Sequence, residues 1–404
     1  MSTQGKERTM LDAALGMPTM VAGGVRCRRA RVGVAMTAGH AGTLAEPASG
    51  TVHLDERVMS GDKATSQRPS TRRGRRRTPG TCRSLPRDRT VTTSDGVALS
   101  VRDWGPHGAG HTVVLLHGFC LTKESWNIQV TDLIRRWGNN IRIISYDHRG
   151  HGASGTAPMG TYRIDRLADD LAELLVALGV TGPLTLVGHS MGGMAALAYF
   201  RRPARTRPVE PESLVLVATA AGNLGSHGLG RLLNTPATSM LYGIVRRMPR
   251  AGTEEVVQFL ARPVCAALTR HGGYGEAAPK SLVAMSAAAV DATPSTTKVG
   301  FLRGLKEYDC SQTLSSITAK TTIISGGADK LTPMWHARRL ADGIRGATLI
   351  HRPTAGHTLL YEVPEVVTGA ISSAVAAGGH RADFEAGDPG ACAASGKPLE
   401  ERVS

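Results

Sequence analysis

Apolar and polar positions follow two alternating patterns along the middle of this 404-residue chain. Short apolar runs recur: Thr112-Val113-Val114-Leu115-Leu116, Ile141-Arg142-Ile143-Ile144-Ser145-Tyr146, Leu184-Thr185-Leu186-Val187, and residues 213–217, 321–325 and 347–351. Runs of this length, bounded by turn residues, predict strands buried on both faces. Between them the apolar spacing changes to three and four. Leu167, Leu171, Leu174, Leu175 and Leu178 fall on one face of a helix predicted over residues 162–178, which Gly179 ends. Helices are also predicted over 125–137, 191–200 and 363–376. Residues 90–103 alternate about Asp95-Gly96, a pair able to take the positive φ angles of a hairpin turn. Strands alternating with helices predict the α/β class, a mostly parallel central sheet with helices on both faces. Such a sheet binds ligands beyond the carboxyl ends of its strands, so the chemistry is expected in loops just after strands.

From residue 218 to 316 the strand signals stop. Met240, Leu241, Ile244, Val245 and Met248 lie at helical spacing within 235–248. Thr253-Glu254-Glu255 reads as a helix start, a capping hydroxyl followed by acids at the positive end of the dipole. Residues 279–290 read as another helix. The stretch is read as a helical lid whose Met and Leu stripes pack onto the main domain. The expected organisation is a tail over 1–89, a core over 90–217, the lid over 218–316, the rest of the core over 317–377 and a disordered tail over 378–404.

Composition changes this picture mainly at the ends. Hydrophobic residues make up 41% and aromatic residues 4%, so the core must be largely aliphatic. The net charge is +15, but residues 1–89 hold 17 of the 48 basic and 7 of the 33 acidic side chains, and hence ten of those fifteen charges. That segment includes Thr71-Arg72-Arg73-Gly74-Arg75-Arg76-Arg77, shows no sustained period and lacks the apolar content to fold, so it reads as a basic, disordered, solvated tail. Arginine runs can bind nucleic acid or anionic lipid electrostatically. No aromatic residue precedes Trp104 to stack on bases, so no specific nucleic-acid partner is expected. Arg28-Arg29 ahead of Val32-Gly33-Val34-Ala35-Met36 is only faintly similar to a twin-arginine export signal, because the apolar run is short and His40 breaks it. A cytoplasmic location is expected, with export the alternative. No run approaches the roughly 20 apolar residues that would span a bilayer, which argues against an integral membrane protein. The six cysteines form no close pair, so neither a zinc ligand set nor a disulfide framework is expected.

Gly188-His189-Ser190-Met191-Gly192 matches G-x-S-x-G. The match alone is weak; its place between a predicted strand and a predicted helix is what gives it meaning. A strained turn there would project the Ser190 hydroxyl above a helix N-terminus, whose dipole favours a developing oxyanion. A serine hydroxyl needs a base, and the base needs an orienting acid. Asp329 follows the strand at 321–325, and His357 follows the strand at 347–351. No acid follows the strand at 213–217, and Asp147 and Asp165 precede the serine. Asp147 is read as holding the loop from Tyr146 to Gly152. Two backbone N–H groups are expected to receive the oxyanion, those of Met191 and of Phe119 in the turn His117-Gly118-Phe119-Cys120. His117 reads as a structural hydrogen-bonder, and His148, His151 and His189 as loop contacts bordering the cleft. His336 is expected to be partly exposed, His351 structural and Cys120 a packed thiol.

Residues 90–377 resemble the α/β-hydrolase superfamily. The resemblance rests on His117-Gly118-Phe119, Trp126, Tyr146-Asp147-His148-Arg149-Gly150-His151-Gly152-Ala153-Ser154, Gly188-His189-Ser190-Met191-Gly192-Gly193, the Gly-Gly-Ala-Asp stretch ending at Asp329, and Gly356-His357. The order Ser, Asp, His is that family's order. Within it the chain looks most like the branch of lidded esterases, cofactor-free haloperoxidases and epoxide-hydrolase-like enzymes. Epoxide hydrolases and haloalkane dehalogenases carry Asp where Ser190 stands, which argues against both activities. Cys120 stands where this branch often has proline. The resemblance implies a cofactor-free serine hydrolase cleaving an apolar ester or thioester through an acyl-enzyme. Perhydrolysis, C–C bond hydrolysis or acyl transfer on the same triad, or a non-catalytic ligand-binding scaffold, are the alternatives.

Overall fold

The computed structural model describes residues 85–226, 236–247 and 288–385. Eight strands among them form one sheet: β1 (Arg87–Thr92), β2 (Ala98–Trp104), β3 (His111–Leu116), β4 (Ile141–Tyr146), β5 (Leu184–His189), β6 (Ser213–Val217), β7 (Lys320–Gly326) and β8 (Thr348–Arg352). Their order is β1-β2-β4-β3-β5-β6-β7-β8. β3 to β8 run parallel, and the hairpin β1-β2 joins antiparallel to β4. This is the mostly parallel α/β sheet expected from the strand and helix alternation, in the α/β-hydrolase arrangement that the resemblance implies.

Residues on the central strands are buried on both sides, because the pleat sends neighbours to opposite faces. Val114 and Leu116 of β3 join one cluster with Leu186 and Leu216. Val113 and Leu115 join the other with Ile143, Val187 and Val215. Among the described helices are α1 (Asn127–Trp137), α2 (Ile164–Ala177), α3 (Met191–Arg201), α4 (Pro236–Arg247), α5 (Ser295–Glu307), α6 (Met334–Gly343), α7 (Leu359–Glu362) and α8 (Pro364–Glu385). The predicted leucine face of α2 (Leu167, Leu171, Leu174 and Leu175) is buried in the first cluster with α3, while Val130 and Leu133 of α1 and Ile371 and Val375 of α8 are buried in the second.

Three expectations require correction. The first strand begins at Arg87, inside the segment read as tail. Its arginines are not simply solvated, since Arg87 and Arg89 approach the buried Asp103 at 3.3 and 3.4 Å. The last helix continues to Glu385, past the expected boundary at 377. A Cβ at Gly378 would lie 2.7 Å from the His111 ring and 2.8 Å from Glu212 Oε2, so packing accounts for a small residue there. The stripe expected to pack from 235–248 is different too: Tyr242 and Val245 are buried against Val299 of α5, whereas Met240 and Ile244 are exposed. The helix start at Thr253 and most of the helix at 279–290 lie outside the described residues, as does most of each tail.

Candidate active site

Strand β5 ends at His189 and helix α3 starts at Met191, leaving Ser190 alone between them with φ 52° and ψ −116°. A side chain other than glycine rarely takes such a conformation. Surrounding bonds hold it: the Ser190 N–H donates to Val217 O at 2.9 Å, and its carbonyl accepts from Thr219 Oγ1 at 2.6 Å. The flanking glycines are dictated by space. A Cβ at Gly188 would lie 2.4 Å from Gly193 N, and one at Gly192 would lie 2.2 Å from Leu116 O. Strand, helix and the neighbouring β3 can meet this closely only without those side chains.

Asp329 lies in the loop after β7, and His357 in the loop after β8. Ser190 and the two downstream residues thus meet at the carboxyl ends of the parallel strands β5, β7 and β8. His357 Nε2 is 2.9 Å from Ser190 Oγ, and His357 Nδ1 is 2.8 Å from Asp329 Oδ2. All three sequence-predicted side chains therefore form one continuous hydrogen-bonded line. Asp329 is fully enclosed: its Oδ1 accepts the N–H groups of Leu331 and Thr332, and its Oδ2 accepts Thr332 Oγ1–H at 2.6 Å. Burial alone would raise this carboxyl, but the facing His357 and the Thr332 bonds outweigh it and hold the group below its ordinary value. With Asp329 ionised, His357 keeps its proton on Nδ1 and presents Nε2 as an acceptor to the serine.

Met191 is buried at the first position of α3, where helix N–H groups have no intrahelical partner. The turn at Gly118 abuts the serine, since a Cβ there would lie 3.3 Å from Ser190 Cβ. The structure thus brings the 117–119 turn beside Ser190. Cys120 takes φ 56°, a conformation closed to proline, whose ring fixes φ near about −65°. That accounts for the absence of proline at this position.

The remaining histidines divide. His117 makes the expected structural bonds, with Nδ1–H donating to Gly118 O at 2.8 Å and Nε2 accepting His148 N–H at 2.9 Å. His148, His151 and His189 are buried. His336 corrects its expectation of partial exposure: it is 1% exposed and stacks on Trp335 at 3.8 Å. His351 is exposed at the end of β8, 3.3 Å from Ser325 Oγ. Asp147 holds its loop as read, accepting Lys123 N–H, Lys123 Nζ and Ala153 N–H. Asp165 lies in the first turn of α2 and pairs with Arg201.

Two supporting residues escaped the sequence reading: Thr332, which donates to Asp329, and Glu362, which accepts Gly356 N–H and Thr358 Oγ1–H around the histidine loop. His189, read as a loop contact, is the last residue of β5, and its Nε2–H donates to His357 O at 2.9 Å. Each is defined by a side-chain contact that the sequence pattern does not announce. Among the described residues, no group of three or more His, Cys, Asp or Glu side chains is arranged to hold a metal ion.

The buried imidazoles make the fold sensitive to acid. Burial, the largest cause in each case, pushes His117 down to about 4 and His151 and His189 to about 3, and drives His148 well below the imidazole range. In the unfolded chain these groups titrate near about 6.5. Below that pH the unfolded chain binds more protons than the folded one, so stability falls as pH falls toward the folded values. Each group contributes at most about 1.4 kcal/mol per pH unit. The melting temperature is expected to be flat above about pH 7 and to drop steeply on acidification below about 6.5. Differential scanning calorimetry across that range tests this, and a constant melting temperature down to about pH 4.5 would contradict it.

The comparisons with known proteins agree with this fold. Residues 113–370 match the family model described as "Alpha/beta hydrolase family". The chain is 26% identical over 285 residues to the AB hydrolase superfamily protein YisY of Bacillus subtilis, covering 70% of this chain and 97% of that protein. It is 37% identical over 112 residues to the bifunctional esterase/perhydrolase DCH of Acinetobacter calcoaceticus, covering 28% of this chain and 38% of that one. Among solved structures, a thermophilic esterase from Thermogutta terrifontis superposes with a TM-score of 0.55 at 26% identity, covering 73% of this chain and 99% of that one. No helix of the described residues is long and apolar enough to cross a membrane.

Proposed function

The chain belongs to the alpha/beta hydrolase family, and from that premise we propose that it cleaves carboxylic esters through an acyl-enzyme on Ser190. The observation that carries the reading is the line Ser190 Oγ, His357 Nε2, His357 Nδ1, Asp329 Oδ2, with contacts of 2.9 and 2.8 Å. As Ser190 Oγ adds to the ester carbonyl carbon, its proton passes to His357 Nε2, and the ionised Asp329 stabilises the imidazolium. The N–H groups of Phe119 and Met191 receive the oxyanion. Collapse of the tetrahedral intermediate breaks the bond to the alcohol, which leaves with the proton from His357. Water then repeats the sequence, giving the acid and restoring the Ser190 hydroxyl.

Helices α4 and α5 belong to a lid inserted between β6 and β7, and its apolar side chains favour a substrate with an apolar acyl or alcohol portion. The likeness to an esterase/perhydrolase supports a second outcome on the same intermediate. Hydrogen peroxide in place of water would attack the acyl-enzyme and release a peracid. Steady-state assays with short p-nitrophenyl esters test the main reading. Turnover preceded by a burst of one nitrophenol per protein is expected if deacylation limits the rate. Absence of turnover across a series of acyl lengths would overturn the ester reading.

A further inference from the structure

We infer that His151 is a positioning residue, holding the Phe119 amide in place for the oxyanion through a hydrogen bond to the next residue of the turn. The inference rests on the proposed role of Phe119. The Cys120 N–H donates to His151 Nε2 at 3.2 Å. That nitrogen must be unprotonated to accept, and the ring is fixed from its other side, because His151 Nδ1–H donates to Arg149 O at 3.1 Å. Tautomer and orientation are therefore both set.

The anchor beneath the ring is rigid. Arg149 is fully buried, and its guanidinium is gripped by Asp170 at 2.6 and 2.7 Å and by Asp95 at 2.8 Å. The imidazole also packs edge-on against Phe119 at 6.2 Å and lies 5.5 Å from Phe301 of α5. The turn itself needs such support. Cys120 sits at φ 56°, an unfavourable conformation for a side chain with a Cβ, and within the turn Leu121 N–H donates to Gly118 O at 3.1 Å. The Phe119 N–H shares its peptide plane with Gly118 O, which accepts from Leu121 N–H and from His117 Nδ1–H at 2.8 Å, and the bond to His151 fixes the next plane through the Cys120 N–H, so the Phe119 backbone is held on both sides. His151 is thus placed to act on the oxyanion donor without itself touching Ser190 or His357.

Phenylalanine at 151 keeps a ring against Phe119 and Phe301 but offers no acceptor, whereas glutamine offers an acceptor on a flexible stem. His151→Phe is expected to lower kcat on a p-nitrophenyl ester by about 10- to 100-fold, the scale of a misplaced oxyanion donor, with KM within about threefold. His151→Gln is expected to restore kcat to within about threefold of the parent. A phenylalanine variant that folds and keeps full kcat would overturn the inference. So would a glutamine variant as slow as the phenylalanine one, since that would make ring shape the determinant. If His151→Phe does not fold, the glutamine variant decides alone: near-parental kcat supports the role, and a loss of about tenfold or more refutes it. Ser190→Ala in the same assay separates the two layers. Unchanged turnover there would remove the underlying reading, while turnover abolished there but intact in His151→Phe would remove only this inference.

Discussion

Asp329→Asn is expected to lower kcat on a p-nitrophenyl ester by about 10³- to 10⁴-fold while leaving KM and the fold largely unchanged. The size follows from the bonds around the carboxylate. Two backbone N–H groups, from Leu331 and Thr332, point at Oδ1. In the asparagine variant they hold the amide oxygen on that side, and the amide NH2 is forced to face His357. The NH2 group donates rather than accepts, so His357 moves its proton to Nε2, the nitrogen 2.9 Å from Ser190 Oγ. A protonated Nε2 cannot take the serine proton. Steady-state kinetics with a parallel melting curve check the expectation. A loss below about tenfold would mean that Asp329 does not set the tautomer.

Gly192→Ala is expected to have the largest effect on stability. Its Cβ would lie 2.2 Å from Leu116 O, 2.5 Å from Leu116 C and 2.7 Å from His117 O. All three atoms are backbone, so no side chain can swing aside, and α3 must move away from β3. Overpacking of this kind costs about 3 kcal/mol. That corresponds to a fall of roughly 6–12 °C in melting temperature for a domain of a few hundred residues. Gly369→Ala is the internal control. It lies within α8 with nothing within 4 Å of its would-be Cβ, and the substitution should be neutral or stabilising by up to about 1 kcal/mol. Equal melting temperatures for Gly192→Ala and the parent would show that the close approach of α3 to β3 is not rigid.

Where the sequence was legible, a local pattern and a structural demand coincided. The parallel strands β3 to β7 are buried along most of their length because both faces are covered, and an apolar run is the direct trace of that; the run at 347–351 reads the same way, yet β8 is the edge strand and none of its residues is buried. Ser190 was legible because the strained elbow needs glycines at fixed offsets, and Asp329 and His357 because each follows a strand end. Other features leave no such trace. Helix α5 was not separately discerned within the lid. Its buried side mixes Ser295, Thr297, Lys298 and Gly300 with Phe301, since it packs closely on Tyr162 and needs small or polar residues there. His336 was read as partly exposed because it follows a loop proline, and only the stacking on Trp335 reveals its burial. The ends were misplaced for a common reason. Charge and glycine content suggested tails, whereas Arg87 and Arg89 face Asp103 and Gly378 packs against His111. The order of strands, which brings β7 beside β6 and so Asp329 toward Ser190, depends on pairings between distant segments and has no local signature.

Mass spectrometry reads directly whether Ser190 carries the acyl group. The protein would be mixed with a p-nitrophenyl ester, quenched in acid during turnover and digested. The peptide containing Ser190 is expected to gain the mass of the acyl group, the adduct to disappear after the substrate is exhausted, and Ser190→Ala to show neither adduct nor turnover. Turnover without an adduct on that peptide, retained in Ser190→Ala, would contradict an acyl-enzyme on Ser190.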